Sequence, residues 1–205
     1  MSMTMQEYQT LDGAYKFFNR KLFASSLPEC LIVMQRKGKR NLGYFHPNRF
    51  THRLDQNKHT DEISLNPDNF HGQTDEDILS VLAHEMVHLW QQHFDEPPRG
   101  GYHDKRWGRK MDEIGLLPTN TGQPGGKRTG QQMHHYVIPE GPFDIACKDF
   151  LSSGKNLNWN SLPIMSAKSP RSKSKFTCPD CNQNAWAKPT ARLICGICEV
   201  AMLAE

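Results

Sequence analysis

The spacing of apolar residues divides the first part of the chain into a helix and several short strands. Between Tyr8 and Phe23, apolar side chains recur every three or four positions, which predicts an amphipathic helix that ends near Pro28. Three short β-prone runs follow, at residues 31–34, 42–46 and 62–65, and predict strands separated by polar loops. This order of elements, with further helices downstream, predicts an α+β fold.

The strongest helix signal begins at Thr74. This residue is a favourable N-cap, Asp77 follows three positions later, and an apolar run continues through Trp90. The Pro- and Gly-rich stretch 95–101 breaks the helix. A second periodic set of apolar residues predicts another helix over 107–114, which stops at Gly115.

The second half of the chain has a different composition. Residues 118–130 are rich in Gly, Thr, Gln and Pro and predict an extended loop, for which a plain surface loop is the simplest interpretation. Residues 151–175 contain seven Ser, five Lys or Arg and no acidic residue, which predicts a flexible basic linker. The sequence therefore predicts a first domain over 1–150, the linker over 151–175 and a small module over 176–205.

The overall composition excludes several classes of protein. The chain has 205 residues, 37% of them hydrophobic, a mean hydropathy of -0.70 and a formal net charge of +3. No apolar stretch is long enough to cross a bilayer. The first residues carry neither a basic nor an apolar signal region, so we expect a cytoplasmic protein with no membrane partner.

Residues 84–88 match the H-E-x-x-H pattern on the predicted central helix. Residues four apart lie on one helix face, about 6 Å apart along the axis, so His84 and His88 can reach one metal ion. Glu85 can then contact a metal-bound water without binding the metal. The alternative is two histidines and a glutamate on the polar face of a core helix, but the surrounding helix is strongly apolar.

A catalytic zinc needs a third protein ligand and an open position. His93 is nine residues from His84 on the same rigid helix, too far along the axis to share one ion. The break after the helix lets the chain reverse, and His103 then opens the next helix. We therefore expect His103 to be the third ligand.

The C-terminal module carries two C-x-x-C pairs in the spacing C-x2-C-x13-C-x2-C. Four thiolates in this pattern predict a closed structural zinc site, and a module this small needs the metal for much of its folding energy. A free redox pair is the alternative. The four cysteines are Cys178, Cys181, Cys195 and Cys198.

Taken in order, these motifs resemble the SprT-like family of zinc metallopeptidase-like proteins, which includes the Spartan type of DNA–protein crosslink protease. The resemblance covers roughly residues 6–117 and extends to the C-terminal cysteines, since many members carry a zinc ribbon there. The matching stretches are Phe18-Asn19 through Leu22-Phe23, Leu27-Pro28, Leu42-Gly43-Tyr44-Phe45, Glu62-Ile63-Ser64-Leu65-Asn66-Pro67, the H-E-x-x-H helix, and His103 ahead of Trp107.

The resemblance implies a zincin-like metallopeptidase domain followed by a zinc ribbon. It implies that His84, His88 and His103 bind a catalytic zinc and that Glu85 is the general base. One departure is the loop around 121–131, which is longer than the minimal family pattern and is similar to that of bacterial members. The implied activity is hydrolysis of peptide bonds in proteins, including DNA-bound or DNA-crosslinked ones.

Two features are left with open alternatives. A second oxyanion donor is not identifiable among its four candidates, which are Tyr102, His134, His135 and Tyr136. The basic linker, with Phe176 and Trp186 as stacking surfaces, fits nonspecific DNA contact, and a solvated tether with core aromatic residues is the alternative. The second function class is accordingly a zinc-dependent DNA-binding or regulatory protein with little or no peptidase activity.

Overall fold

The computed structural model describes residues 1–36, 41–162 and 173–204. The chain divides into two compact units, Met1–Leu162 and Pro163–Glu205. The first unit combines helices with two small sheets, and the second contains one small sheet. The predicted α+β class is therefore confirmed. None of the described helices combines the length and hydrophobicity that crossing a bilayer requires.

The first helix, α1 (Met3–Leu22), confirms the predicted amphipathic pattern and begins five residues earlier. Ser2 caps its N-terminus by accepting the Met5 N–H at 3.3 Å. At its end the Asn19 side-chain amide donates to the carbonyl of Leu27 and accepts its N–H, at 3.0 and 3.1 Å. These bonds fix the turn towards the first strand. The apolar face of the helix is buried through Leu11, Ala14, Tyr15, Phe18 and Leu22.

The three predicted strands form one sheet: β1 (Leu31–Met34), β2 (Gly43–His52) and β3 (Asp55–Leu65). β3 is central, parallel to β1 and antiparallel to β2. β2 and β3 are longer than their apolar runs because their far ends form an exposed polar hairpin that hydrophobic patterning does not detect. Gly43 lies opposite Leu65, at the buried end of the sheet.

The central helix α2 (Asp75–Phe94) starts as predicted. Thr74 accepts the Asp77 N–H at 3.1 Å, and the Asp77 carboxylate accepts the Thr74 N–H at 2.9 Å, which completes a capping box. The next helix, α3 (Lys105–Glu113), ends before Gly115. Gly115 has a φ of +86°, and a Cβ there would lie 2.9 Å from Pro142 Cδ, so a residue without a side chain is needed.

Three short elements of the first unit escaped the sequence analysis: β4 (Leu116–Thr119), β5 (His134–Val137) and α4 (Pro142–Ser152). The two strands pair with each other in an antiparallel hairpin whose connection is the predicted loop. α4 buries Phe143 and Phe150 against Phe18 of α1, with ring centroids 5.4 and 6.0 Å apart. These elements complete the core beneath α1 and α2.

The chain that follows α4 is bound to the first unit as far as residue 162. The buried Glu7 carboxylate accepts the N–H groups of Asn158 and Trp159 at 3.0 and 3.3 Å. Ser161 donates its N–H to the carbonyl of Pro67 at 3.2 Å. Residues 151–162, which the composition assigns to the linker, thus belong to the first compact unit. The prediction of flexibility for residues 163–172 lies outside the described residues.

The second unit contains a sheet of β6 (Ser174–Thr177), β7 (Asn184–Ala187) and β8 (Leu203–Ala204). β6 is central and antiparallel to both neighbours. Phe176 is buried together with Cys178 and Cys195. Phe176 is therefore a core residue, and its interpretation as a stacking surface is wrong, whereas Trp186 is 62% exposed.

Candidate metal centres

Three histidines, two on α2 and one before α3, lie close together in the first unit. His84 and His88 lie one helical turn apart on α2, and His103 precedes Asp104, the N-cap of α3. One ligand atom from each of the three lies within 4.8 Å of the other two. His88 Nε2 and His103 Nε2 are 3.1 Å apart. The structure thus brings together the three residues predicted as ligands, and their role as ligands stays a prediction.

The position of His103 is fixed by the residues around it. Asp104 caps α3 by accepting the N–H groups of Arg106 and Trp107, both at 2.9 Å. The same carboxylate oxygen accepts a hydrogen bond from Gln91 of α2 at 3.0 Å. The start of α3 is thereby tied to α2 directly beside the histidine cluster.

The loop between β4 and β5 also holds His103. The backbone N–H and carbonyl of His103 pair with the carbonyl and N–H of Gly130, at 2.9 and 3.1 Å. The ring Nδ1 also lies 3.1 Å from the Gly130 carbonyl, which can only accept a proton. Nδ1 therefore carries the hydrogen in the neutral ring, and Nε2 keeps its lone pair. This loop, which the sequence left without a role, orients the third histidine.

The distances and donor types at the histidine cluster fit a zinc ion. Two imidazole nitrogens bound to one tetrahedral zinc lie roughly 3.3 Å apart, and the Nε2 atoms of His88 and His103 are 3.1 Å apart. With three protein ligands, one position is left for water or substrate, as in catalytic zinc sites. Without a metal, a proton on His88 Nε2 would make this contact a hydrogen bond to His103 Nε2.

Trp107 of α3 forms one wall of the cluster and is fully buried. Its ring stacks on His88, with centroids 5.3 Å apart and planes inclined by 23°. It meets His84 and His103 edge to face, at 4.9 and 4.5 Å. A rigid aromatic ring in contact with all three imidazoles restricts their rotation and excludes water from one side.

Glu85 is buried beside the start of β2. Its carboxylate accepts the backbone N–H of Phe45, and a Cβ at Gly43 would lie 3.2 Å from its Oε1. Burial raises the pKa of Glu85 to about 8, although the Phe45 N–H opposes the shift. A bound cation stabilises the carboxylate and would lower this pKa. The absence of a side chain at Gly43 leaves room for the glutamate next to the sheet.

The histidines of the cluster remain neutral at physiological pH for the same reason. Burial lowers the pKa of His88 to about 3, and it lowers the pKa values of His84 and His103 as well. Only neutral imidazole binds a metal, so the cluster does not need to lose protons before it takes up an ion. His93, in contrast, lies away from the cluster and contacts Asp61 Oδ2 through Nε2 at 2.6 Å.

The sequence analysis did not assign the role of one further histidine at this site. His135 of β5 places its Nδ1 3.1 Å from His84 Nδ1, and its Nε2 lies 2.8 Å from Ser80 Oγ. Both ring nitrogens are thus engaged. The sequence offered His135 only as one of four candidate oxyanion donors, since the pairing of β4 with β5 that brings it here is a long-range contact.

The second unit holds the four cysteines in one cluster. Their sulfur atoms lie within 4.8 Å of one another, and Cys181 Sγ is 3.7 Å from Cys195 Sγ. Sulfurs of a tetrahedral zinc–thiolate site, with bonds of about 2.3 Å, lie roughly 3.7 Å apart. Backbone N–H groups of Cys198 and Ile197 lower the pKa of Cys195 to about 7, which favours the thiolate. The cluster is consistent with a zinc site.

The described residues define an α+β protein in which two clusters are candidate metal centres, one lined by three histidines and one by four cysteines. A model of the SprT-like family matches residues 11–124, which include the H-E-x-x-H motif and His103. The chain belongs to the SprT-like family, as its sequence motifs predicted. His135 and the cysteine cluster lie outside the matched residues.

The chain is also similar to a curated bacterial protein. It is 50% identical over 50 residues to a Salmonella typhimurium protein described as an uncharacterized protein in the mucB 3' region. That similarity covers 24% of this chain and 66% of the relative, just under two thirds of its length. No solved structure matches the chain at a comparable level of significance.

Proposed function

We propose that this protein is a zinc-dependent metallopeptidase that hydrolyses peptide bonds in proteins, and that its first unit has a zincin-like arrangement. The observation that carries the proposal is the convergence of His84, His88 and His103 with Glu85 buried beside them. A purely structural metal site needs ligands that close its coordination, whereas three ligands with an adjacent carboxylate suit hydrolysis.

Each residue of the site has a separate role in this proposal. His84, His88 and His103 would hold zinc, which supplies a Lewis acid for the substrate carbonyl and lowers the pKa of water bound to it. Glu85 takes the proton of the attacking water and returns it to the departing amine. The Phe45 N–H holds the carboxylate of Glu85 in place between these two transfers.

The location of β2 supports a polypeptide substrate. In the sheet order β1-β3-β2, β2 is an edge strand of the described sheet, and its first residues lie against Glu85. An extended peptide can add to such an edge through main-chain hydrogen bonds, independently of its sequence. This mode of binding would place a substrate backbone next to the proposed base.

We also propose DNA as a partner that contacts the basic linker and the cysteine module. Lys175 on β6 and Trp186 on β7 are directly opposite each other in the register, so their side chains share one face. A cation beside an exposed aromatic ring suits a phosphate backbone with stacked bases.

The thiolate ligands require a reducing compartment, so the proposal places the protein in the cytoplasm.

The peptidase proposal is tested by incubating zinc-loaded protein with an unstructured protein substrate, with and without DNA. Glu85→Gln is the matched variant, because the amide keeps the size of the side chain but cannot accept the proton. We expect cleavage to fall by a factor on the order of 10²–10⁴ in the variant at unchanged zinc content. Equal cleavage by both proteins would refute the role of Glu85.

The same assay distinguishes the second function class. If neither protein cleaves under any condition while both bind DNA, the chain is a zinc-dependent DNA-binding or regulatory protein.

DNA contact itself is tested with a chain that ends at Leu162. We expect this chain to bind DNA more weakly, with the salt dependence reduced by about one unit for each lost phosphate contact. Unchanged affinity would place the contact on the first unit.

A further inference from the structure

A row of hydrogen bonds connects the first histidine ligand to the backbone of its own helix. His84 Nδ1 lies 3.1 Å from His135 Nδ1, and His135 Nε2 lies 2.8 Å from Ser80 Oγ. Ser80 in turn donates its hydroxyl proton to the carbonyl of Asp77 at 2.7 Å. Ser80 is buried and His135 is half-buried, so solvent competes little for these contacts.

The Asp77 carbonyl is the last acceptor of this series, and it determines which atom donates in each of the other hydrogen bonds. The Asp77 carbonyl can only accept, so the single hydroxyl proton of Ser80 is committed to it. Ser80 Oγ must then accept from His135, which places the proton of the neutral ring on Nε2 and leaves Nδ1 with a lone pair. His84 therefore donates from Nδ1 to His135, and its own Nε2 carries the free lone pair.

We propose that His135 is a positioning residue that, with Ser80, fixes His84 in the tautomer whose Nε2 can bind the metal. The proposal rests on the zinc site of the proposed function. It parallels the arrangement at His103, whose Nδ1 donates to the Gly130 carbonyl. Two of the three proposed ligands would thus be held by contacts from the β4–β5 hairpin and its loop.

The opposite assignment of protons is unfavourable. If His135 donated from Nδ1 to His84, then His135 Nε2 and Ser80 Oγ would face each other at 2.8 Å without a proton between them. Ser80 could supply this proton only if its hydrogen bond to the Asp77 carbonyl were broken. His84 would also carry its proton on Nε2, the atom that we propose binds the metal.

Metal affinity provides the first test. Partners that orient a metal-binding histidine typically contribute 10–100-fold in affinity. We expect His135→Leu to weaken zinc binding at the histidine site of the full chain by that factor, measured by chelator competition. His135→Asn should stay within about threefold of wild type, because its side-chain oxygen can occupy the place of Nδ1 and accept from His84. His71→Leu, at an exposed histidine of the same unit, is the control and should leave the affinity unchanged.

The tautomer of His84 provides a readout that general destabilisation does not change. In nitrogen-15 histidine NMR of the folded chain, with and without zinc, we expect the His84 proton on Nδ1. Ser80→Ala should populate both tautomers in the zinc-free protein, since it frees the proton of His135. A His84 proton on Nε2 in zinc-free wild type, or unchanged populations in Ser80→Ala, would overturn the proposal.

The two proposals can fail separately. Wild type that binds no zinc at the histidines would refute the proposed function, while the zinc-free NMR spectrum would still test the tautomer. Full zinc affinity in a folded His135→Leu protein would overturn the positioning role even if peptidase activity is demonstrated. Equal losses of zinc affinity in His135→Leu and His135→Asn would also overturn the positioning role. A hydrogen-bond acceptor for His84 at this position would then make no difference to zinc binding.

Discussion

At the scale of single residues, His103 is the proposed ligand whose position depends most on tertiary structure. His84 and His88 share a face of α2, whereas His103 reaches them only because Asp104 and Gly130 hold its backbone and ring. His93 is on α2 as well, yet it contacts Asp61 instead of the cluster. The arrangement therefore places His103, and not His93, in the histidine cluster.

We expect His103→Ala to lower zinc affinity at the histidine site by more than the roughly 10–100-fold typical of outer partners. His93→Ala should leave that affinity within about threefold of wild type. Chelator competition on the full chain measures both, with His84→Ala as the reference that retains only the cysteine site. Similar losses in the two variants would show that the third ligand is misassigned.

The burial of His88 predicts how the free energy of unfolding of the zinc-free protein depends on pH. The folded-state pKa of His88 is about 3, below the 6.5 of an unfolded chain. The unfolded state therefore binds more protons below pH 6.5, and the free energy of unfolding falls as pH decreases from there. Above pH 6.5 this histidine contributes no pH dependence.

Urea denaturation with a chelator present, at pH values from 7 to 5, tests this expectation. His88 should contribute a slope of about 1.4 kcal/mol per pH unit once it is protonated in the unfolded state. His88→Gln should show a correspondingly smaller slope, because glutamine does not titrate. Parallel pH profiles for the two proteins would contradict the assignment of a buried neutral His88.

At the scale of secondary-structure elements, α2 could be predicted and β5 could not. Thr74 and Asp77 form a local capping box that appears directly in the sequence, so the start of α2 was correct. β5 has only four residues, and His134 and His135 give no apolar alternation. Its position depends on pairing with β4 across a long loop, which no local pattern encodes.

Residues 155–162, which we call the strap, are a second segment whose structure the sequence did not predict. Residues 151–175 as a whole are rich in Ser and Lys, which is typical of linkers, but Glu7 on α1 supplies a buried acceptor for two backbone N–H groups of residues 155–162. We expect Glu7→Ala to destabilise the first unit by about 1.5–3 kcal/mol, the usual range for hydrogen bonds to a charged group. Glu7→Gln, which keeps an oxygen acceptor, should lose less.

Truncation provides the matched comparison for the strap. A chain that ends at Leu162 retains these hydrogen bonds, whereas one that ends at Leu151 lacks both N–H donors to the Glu7 carboxylate. Thermal denaturation should therefore show a lower midpoint for the shorter chain. Equal midpoints would mean that the strap contributes nothing to the stability of the first unit.

At the scale of the whole molecule, the residues of both clusters could be selected from the sequence, but the contacts that orient them could not. The H-E-x-x-H spacing and the paired C-x-x-C spacing are local, so both sets of residues could be selected in advance. Gly130 and Ser80 carry no such signature, because any backbone carbonyl or hydroxyl could occupy their places. The two clusters share no residue and lie in separate compact units.

The central claim, that each unit holds its own zinc, is tested most directly by the zinc content of the purified chain. Elemental analysis should give close to two zinc ions per wild-type chain, one in His88→Ala and one in Cys178→Ser. The double variant should contain none, because the sites share no ligand. A single zinc in wild type that persists in His88→Ala would contradict a metal at the histidine cluster.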